Sequence, residues 1–335
     1  MTRPLARLGF LHIVPFRRDA PAEGLEDALR LFEYGEALGF DTGWVRTRHI
    51  QYGIPSAPVF LAAAAQRTRR IGLGTAVIPT VYDSPLRLAE DLSVADLLSG
   101  GRLQPGVSVG HPMIDERVVD EILGADWRER DMSYARVERM LELLRGVQVD
   151  DQERTVGIEE FSDRVEPHSP GLAERVWYGG GSLRSAEWAG RAGLKFLVSN
   201  ITTGEDTDDF SEAQRRQIER FRAHHPRGQH AIVGKGAVVV PIDDATTEQA
   251  ERFAAYVEAR TPRTLQPGEH RRLIQRDFFG TSEEIVARLK ADPAYQLADE
   301  FIFELPFSFD AEDYRTILRT FAERIGPALG WSPRT

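Results

Sequence analysis

Short apolar runs alternate with stretches of helical periodicity along almost the whole chain. Residues 8–14 read as a strand, and 24–38 then place Leu25, Ala28, Leu29 and Phe32 on one helical face. The alternation repeats as strand 42–45, helix 56–67, strand 71–78, helix 84–98 and strand 103–109. Ser84 stands where a helix cap belongs, and Pro85 suits the first helical position, where a missing N–H costs no hydrogen bond. Pro105 fits a strand only near its start, because it cannot donate to a ladder.

The rhythm then breaks three times: over about 112–132, which is charged and poorly periodic, over 146–172, which is polar and extended, and over 260–280. Around these interruptions it resumes with helix 133–144, strand 175–179, helix 182–191, strand 195–198, helix 208–224 and strand 231–240. Two capping boxes, Thr246 with Gln249 and Thr281 with Glu284, open further helices. Strand 301–305 and helix 311–325 complete the series. Eight strands separated by helices imply parallel pairing, and eight such units close a (β/α)8 TIM barrel with loop insertions. The expected organisation is one barrel domain over 1–335, with the interruptions as its insertions. An open doubly wound sheet is the alternative, but it usually carries a GxGxxG turn after its first strand, and residues 12–18 hold no glycine.

Charge and composition narrow the partners. A net charge of −10 repels polyanions, so neither nucleic acid nor an anionic membrane surface is expected. No run of 18 apolar residues exists and the start lacks an apolar leader core, so a cytoplasmic location is expected. With no cysteine, disulfides, thiolate nucleophiles and Cys-bound zinc drop out. No metal site is expected either. His224 and His225 are adjacent and cannot share a helix face, no HExxH occurs, and Asp206, Asp208 and Asp209 lack the glycine and closing glutamate of a calcium loop.

In a barrel the active site lies at the C-terminal ends of the strands. That rule selects His12, then Arg46, Arg48 and His49, then 76–80, 108–111, 179–185, and Ser199 with Asn200. The segment WYGGGSLRSAEW, 177–188, has the sharpest physical reading. Three glycines let a ligand approach the backbone, and Ser182 opens a helix whose free N–H groups suit a phosphate. Ser185 adds a hydroxyl and Arg184 a charge. A plain strand-to-helix turn with a serine cap is the structural alternative, as a simple hydrogen-bonding role is for each histidine. GVSVG at 106–110 matches the string of a hydrolase nucleophile elbow, but Pro112 and a charged loop follow it, not a helix.

Several blocks together resemble a known family. GFDTGWVRTRHI (39–50), GLGTAVIP (72–79), SPLRLAEDLSVADLLSGGRLQPGVSVG (84–110) and VWYGGGSLRSAEWAGRAG (176–193) are similar to successive blocks of the bacterial luciferase-like flavin-dependent monooxygenases. FFGTSEEIVARL (278–289) and DEFIFELPF (299–307) resemble that family's C-terminal part. The resemblance implies a barrel, usually a homodimer, that binds reduced flavin at the C-terminal end of its strands. It implies reduced FMN delivered by a separate flavin reductase and used with O2 on a small organic substrate. Related branches use the deazaflavin F420 for hydride transfer, and a non-catalytic flavin-binding subunit is a third reading. On this pattern Ala76 and Val77 form a non-prolyl cis peptide against the flavin ring, with Ser108, Gly110 and His111 beside it. Gly180, Gly181, Ser182 and Ser185 match positions around the flavin phosphate.

Two positions depart from the pattern. The luciferases' Glu-His-His run after strand two is Thr47-Arg48-His49 here. A guanidinium stays protonated, so Arg48 cannot act as a base; His49 is the acid–base candidate and His111 its alternative. The strand-four arginine of FMN members is Val109 here, and Arg184 is the candidate replacement.

Overall fold

Strand-forming runs and helices follow one another in the computed structural model, which describes residues 3–110 and 115–334. The first half runs β1 (Arg7–His12), α1 (Pro21–Ala37), β2 (Thr42–Val45), α2 (Ala57–Arg67), β3 (Gly72–Thr75), β4 (Ile78–Pro79), α3 (Pro85–Ser99), β5 (Leu103–Gln104) and β6 (Gly106–Ser108). Next come α4 (Glu116–Leu123), α5 (Ala135–Leu144), β7 (Arg154–Val156), β8 (Glu159–Phe161), β9 (Trp177–Gly179), α6 (Leu183–Arg191), β10 (Lys195–Val198), β11 (Ile201–Thr203) and α7 (Phe210–His224). The last part holds β12 (Val233–Pro241), α8 (Thr247–Arg260), β13 (Arg272–Ile274), β14 (Phe278–Gly280), α9 (Ser282–Ala291), α10 (Pro293–Gln296), β15 (Glu300–Glu304), α11 (Ala311–Thr320) and α12 (Gly326–Ala328).

The main sheet has the order β4-β6-β9-β10-β12-β15-β1-β2-β3-β5, and β14 pairs with the end of β12. Every pairing in it is parallel. The sheet curls: Leu11, Trp44, Ala76, Trp177, Leu197 and Ile302, from strands far apart in its order, meet in one buried cluster on its inner side. The outer side packs on the helices through a much larger core, in which Phe10, Phe32, Phe40, Phe303 and Phe321 are buried together. Polar groups plug the end where the strands begin. Buried Glu300 accepts from Thr42 Oγ1 and from Trp44 Nε1 at 3.2 Å and pairs with Arg7 at 3.3 Å, while Gln104 accepts from Lys195 Nζ at 2.9 Å. This alternation of helices and curled parallel strands is the barrel-like α/β architecture the sequence pattern predicts.

Local differences have local causes. The expected third strand is interrupted at Ala76–Val77, whose peptide bond is cis, and the fourth at Pro105, which has no N–H to give a ladder. On α1 the buried stripe is Ala28, Leu31, Phe32 and Gly35, spaced i, i+3, i+4, i+7, and Leu25 is exposed. Gly35 is required there because a Cβ would meet the Phe10 ring at 2.4 Å. Both capping boxes form as read, Thr246 accepting from Gln249 N and Thr281 from Glu284 N. Helix 311–325 is α-helical to Thr320 and then continues as a π-helical turn, Phe321–Ile325.

The interruptions contain structure of their own. Within 112–132 lies α4, capped by Asp115 and packing Val119 and Leu123 on Val81 and Tyr82. Within 146–172, β7 and β8 form an exposed antiparallel hairpin. Within 260–280, β13 pairs antiparallel with β11, bringing Arg272 opposite Thr203.

Candidate functional site

A cavity of about 550 Å³ opens at the end of the sheet where the strands finish. Eight of the nine candidate cofactor positions line it: Ala76 and Val77 after β3, Ser108 and Gly110 at and after β6, and Gly180, Gly181, Ser182 and Ser185 at the turn from β9 into α6. Leu11, Leu197 and Ile302 supply apolar floor. Among the described residues no cluster of three or more His, Asp or Glu side chains is arranged to hold a metal ion.

The glycine turn is built differently from the simple expectation. A Cβ on Gly179 would strike Val77 Cγ1 at 2.6 Å, and one on Gly180 would strike Phe196 Cε2 at 2.6 Å and Ser185 Oγ at 2.7 Å. These two glycines therefore make room for protein atoms. Only Gly181 has an open flank, its nearest neighbour being Ile201 O at 3.3 Å. The first amides of α6 are also engaged. Ser182 N donates to Ser185 Oγ and Ser185 N to Ser182 Oγ, both at 3.1 Å. Leu183 N donates to the Glu205 carboxylate at 3.0 and 3.1 Å. Burial first, then the neighbouring Asp206, raises the Glu205 pKa against the pull of that amide.

Arg184 is exposed, with its guanidinium 6.0 Å from the Tyr134 ring centroid, and does not line the cavity. The cation near the glycine turn is Arg272, which lines the cavity from β13. Its partner strand β11 is tied to the turn by Thr203 N donating to Gly181 O at 2.7 Å. Sequence reading missed Arg272 because the segment around it carries no regular pattern, and its pairing partner lies some seventy residues earlier.

A polar cluster occupies the other side of the cavity. The Arg46 guanidinium donates through Nε to Ala76 O at 2.9 Å and pairs through Nη2 with Glu304 Oε2 at 3.0 Å. Glu304 also accepts from Ser199 Oγ and from Asn200 Nδ2, the latter at 3.1 Å. Arg48 lines the same wall, but no hydrogen bond or ion pair engages its guanidinium. Burial and the adjacent Arg46 charge pull its pKa down to about 10. Beside it the Thr47 hydroxyl is buried without a hydrogen-bond partner.

The histidines divide. His49 is half-buried, with its ring edge-on to Tyr82 at 5.3 Å and its Nε2 buried without a partner, and it is not among the residues lining the cavity. Burial lowers its pKa. His12 faces away from this cavity, into a second one of about 410 Å³. His111 lies outside the described residues.

The sequence model of the luciferase-like monooxygenases matches residues 8–307, and the chain belongs to that family. It is 28% identical over 194 residues to an F420-dependent glucose-6-phosphate dehydrogenase of Amycolatopsis mediterranei, covering 56% of this chain and 57% of that one. The chain thus spans less than two thirds of that relative's length. Among solved structures, the monooxygenase RslO1 of Streptomyces bottropensis superposes with a TM-score of 0.72 at 21% identity, over 96% of this chain and 99% of the other. The oxygenating constituent of 3,6-diketocamphane monooxygenase of Pseudomonas putida, in complex with FMN, gives 0.68 at 13% identity, over 98% and 100%. At these identities the two structures speak to the fold.

Proposed function

We propose that the protein is an FMN-dependent monooxygenase that uses reduced FMN and O2 on a small organic substrate, with the reduced flavin supplied by a separate cytoplasmic reductase. The observation that carries this reading is the convergence of Ala76, Val77, Ser108, Gly110, Gly180, Gly181, Ser182 and Ser185 on one cavity with an apolar floor. In this reading the flavin ring would lie between the Ala76–Val77 and Ser108–Gly110 segments, and its phosphate would be held by the Ser182 and Ser185 hydroxyls, released from their mutual cap, with the Arg272 guanidinium in support. Bound reduced flavin would supply the electrons that activate O2.

This chain's own residues would bind, orient and move protons. The Arg46–Glu304 pair, braced by Ser199 and Asn200, holds the wall beside Ala76 in place. His49 is the acid–base candidate of this reading, with His111 as its alternative, although the His49 ring lies outside the residues that line the cavity. Its lowered pKa keeps the imidazole neutral at pH 7, and its Nε2 is unpartnered. The fold reading completes the picture. Counting β3 with β4 and β5 with β6 as single interrupted strands, the run of pairings supports reading the sheet as a (β/α)8 barrel in one domain. A homodimer is part of the same reading.

Anaerobic titration decides the cofactor. Reduced FMN is expected to bind at least about tenfold tighter than reduced riboflavin, because a phosphate adds charge-assisted hydrogen bonds. Equal binding removes the phosphate assignment. Tighter binding of F420 replaces this reading with hydride transfer, the second reading, which the similarity to an F420-dependent dehydrogenase favours.

A further inference from the structure

Arg48 is a half-buried cation on the wall of the cavity with nothing to pair with. Its neighbour Arg46 is different: Glu304 cancels its charge, and Ser199 and Asn200 take up the remaining capacity of that carboxylate. One cationic charge is therefore left over at the ends of β2 and β15. The Arg48 stem lies on Gly53, where a Cβ would come within 3.2 Å of Arg48 Cγ, so backbone packing holds it at the wall. The neighbouring Thr47 hydroxyl is sealed from the cavity and adds no contact there. An unpaired cation on a wall beside an apolar floor is costly, and a guanidinium fork is complementary to the two oxygens of a carboxylate.

The glycine turn lies on a different part of the wall. From β2 the sheet passes through β3 and β4, then β6, before it reaches β9. Three inter-strand steps make roughly 14 Å. A phosphate at Ser182 and Ser185 would leave Arg48 unpaired.

We propose that Arg48 forms an anion subsite that selects a carboxylate-bearing substrate whose apolar body lies over Leu11, Leu197 and Ile302. Calling the bound acid a substrate rests on the flavin reading above; the subsite itself does not.

Octanoate and its neutral isostere octanamide are the probes, each titrated into the purified protein with and without FMN. The wild type is expected to bind octanoate at least about tenfold tighter than octanamide. Arg48→Met should erase that preference while FMN affinity stays within a few-fold. Arg48→Lys should keep part of it, since a point charge replaces the fork. If Arg48→Met does not fold, Arg48→Lys and Arg48→Gln carry the test. Equal binding of the two probes by the wild type, or an unaltered preference in the variants, overturns the proposal. So does an Arg48 variant that loses FMN affinity and keeps its preference for octanoate, since the cation then serves the cofactor. A preference for octanoate in a protein that binds no FMN sinks only the flavin reading.

Discussion

His12 and Leu11 are neighbours at the end of β1, yet Leu11 lines the larger cavity and His12 the smaller. A rule that picks residues at strand ends finds both; which one points inward depends on the parity of the strand, and a one-residue change of register reverses it. The sequence therefore showed the ring of strand ends but not the direction of this histidine. His12 is 2% exposed, edge-on to Tyr314 at 4.6 Å, and neither ring nitrogen has a partner. Burial pushes its pKa down to about 3. The unfolded chain takes up this proton near pH 6.5 and the folded protein only near 3, so the unfolded state binds more protons between those values. Stability should rise with pH across that window and fall on acidification, by about 2 kcal/mol between pH 6.5 and 5. Urea unfolding at the two pH values, on wild type and on His12→Phe, checks it. The variant should show a flatter pH dependence by that amount, and identical slopes would refute the assignment.

At the scale of elements, the turn into α6 was the most legible part of the site. Its position after a strand, its glycines and its serines were all visible, and the cap forms between Ser182 and Ser185. The occupant of the first amide was not visible, because Glu205 comes from the loop after β11. A carboxylate at a helix N-terminus is favoured by the same partial charge that favours a phosphate, so the two compete. Glu205→Gln should tighten FMN several-fold and leave riboflavin unchanged, as read by fluorescence titration. An equal effect on both ligands would place the phosphate elsewhere. α4 escaped notice for a different reason: its short apolar stripe, Val119 and Leu123, is only two residues wide among charged neighbours.

At the scale of the whole molecule, the alternation of strand and helix was enough to predict a curled parallel sheet, because parallel neighbours require helical crossovers. Long-range pairings such as β11 with β13 follow no periodicity and could not be read. One surface feature also belongs to this scale. α3 exposes Leu86, Val94, Leu97 and Leu98, which fall within one face of the helix, and α2 beside it exposes Val59. These apolar side chains, interspersed with Arg87 and Glu90, are where the proposed dimer would pack. Leu97→Asp together with Leu98→Asp should halve the mass seen by light scattering. A wild type already at 37.6 kDa would remove the dimer.

The β11–β13 ribbon forms one wall of the cavity. It joins Ile201 to Ile274, Thr202 to Leu273 and Thr203 to Arg272, with Gly204 N bonded to Arg271 O at 2.9 Å and Gln275 N to Asn200 O at 3.0 Å. A two-stranded ribbon is marginally stable in water, and this one is moored to the body through Leu273, through Thr203 N donating to Gly181 O at 2.7 Å and through Thr202 Oγ1 donating to Gln217 at 3.0 Å. It opens far more cheaply than the barrel-like core unfolds. A molecule seated against Thr203 and Arg272 would rest on a wall that yields more readily than the sheet beneath, so stiffening the ribbon should slow its exchange without changing the stability of the fold.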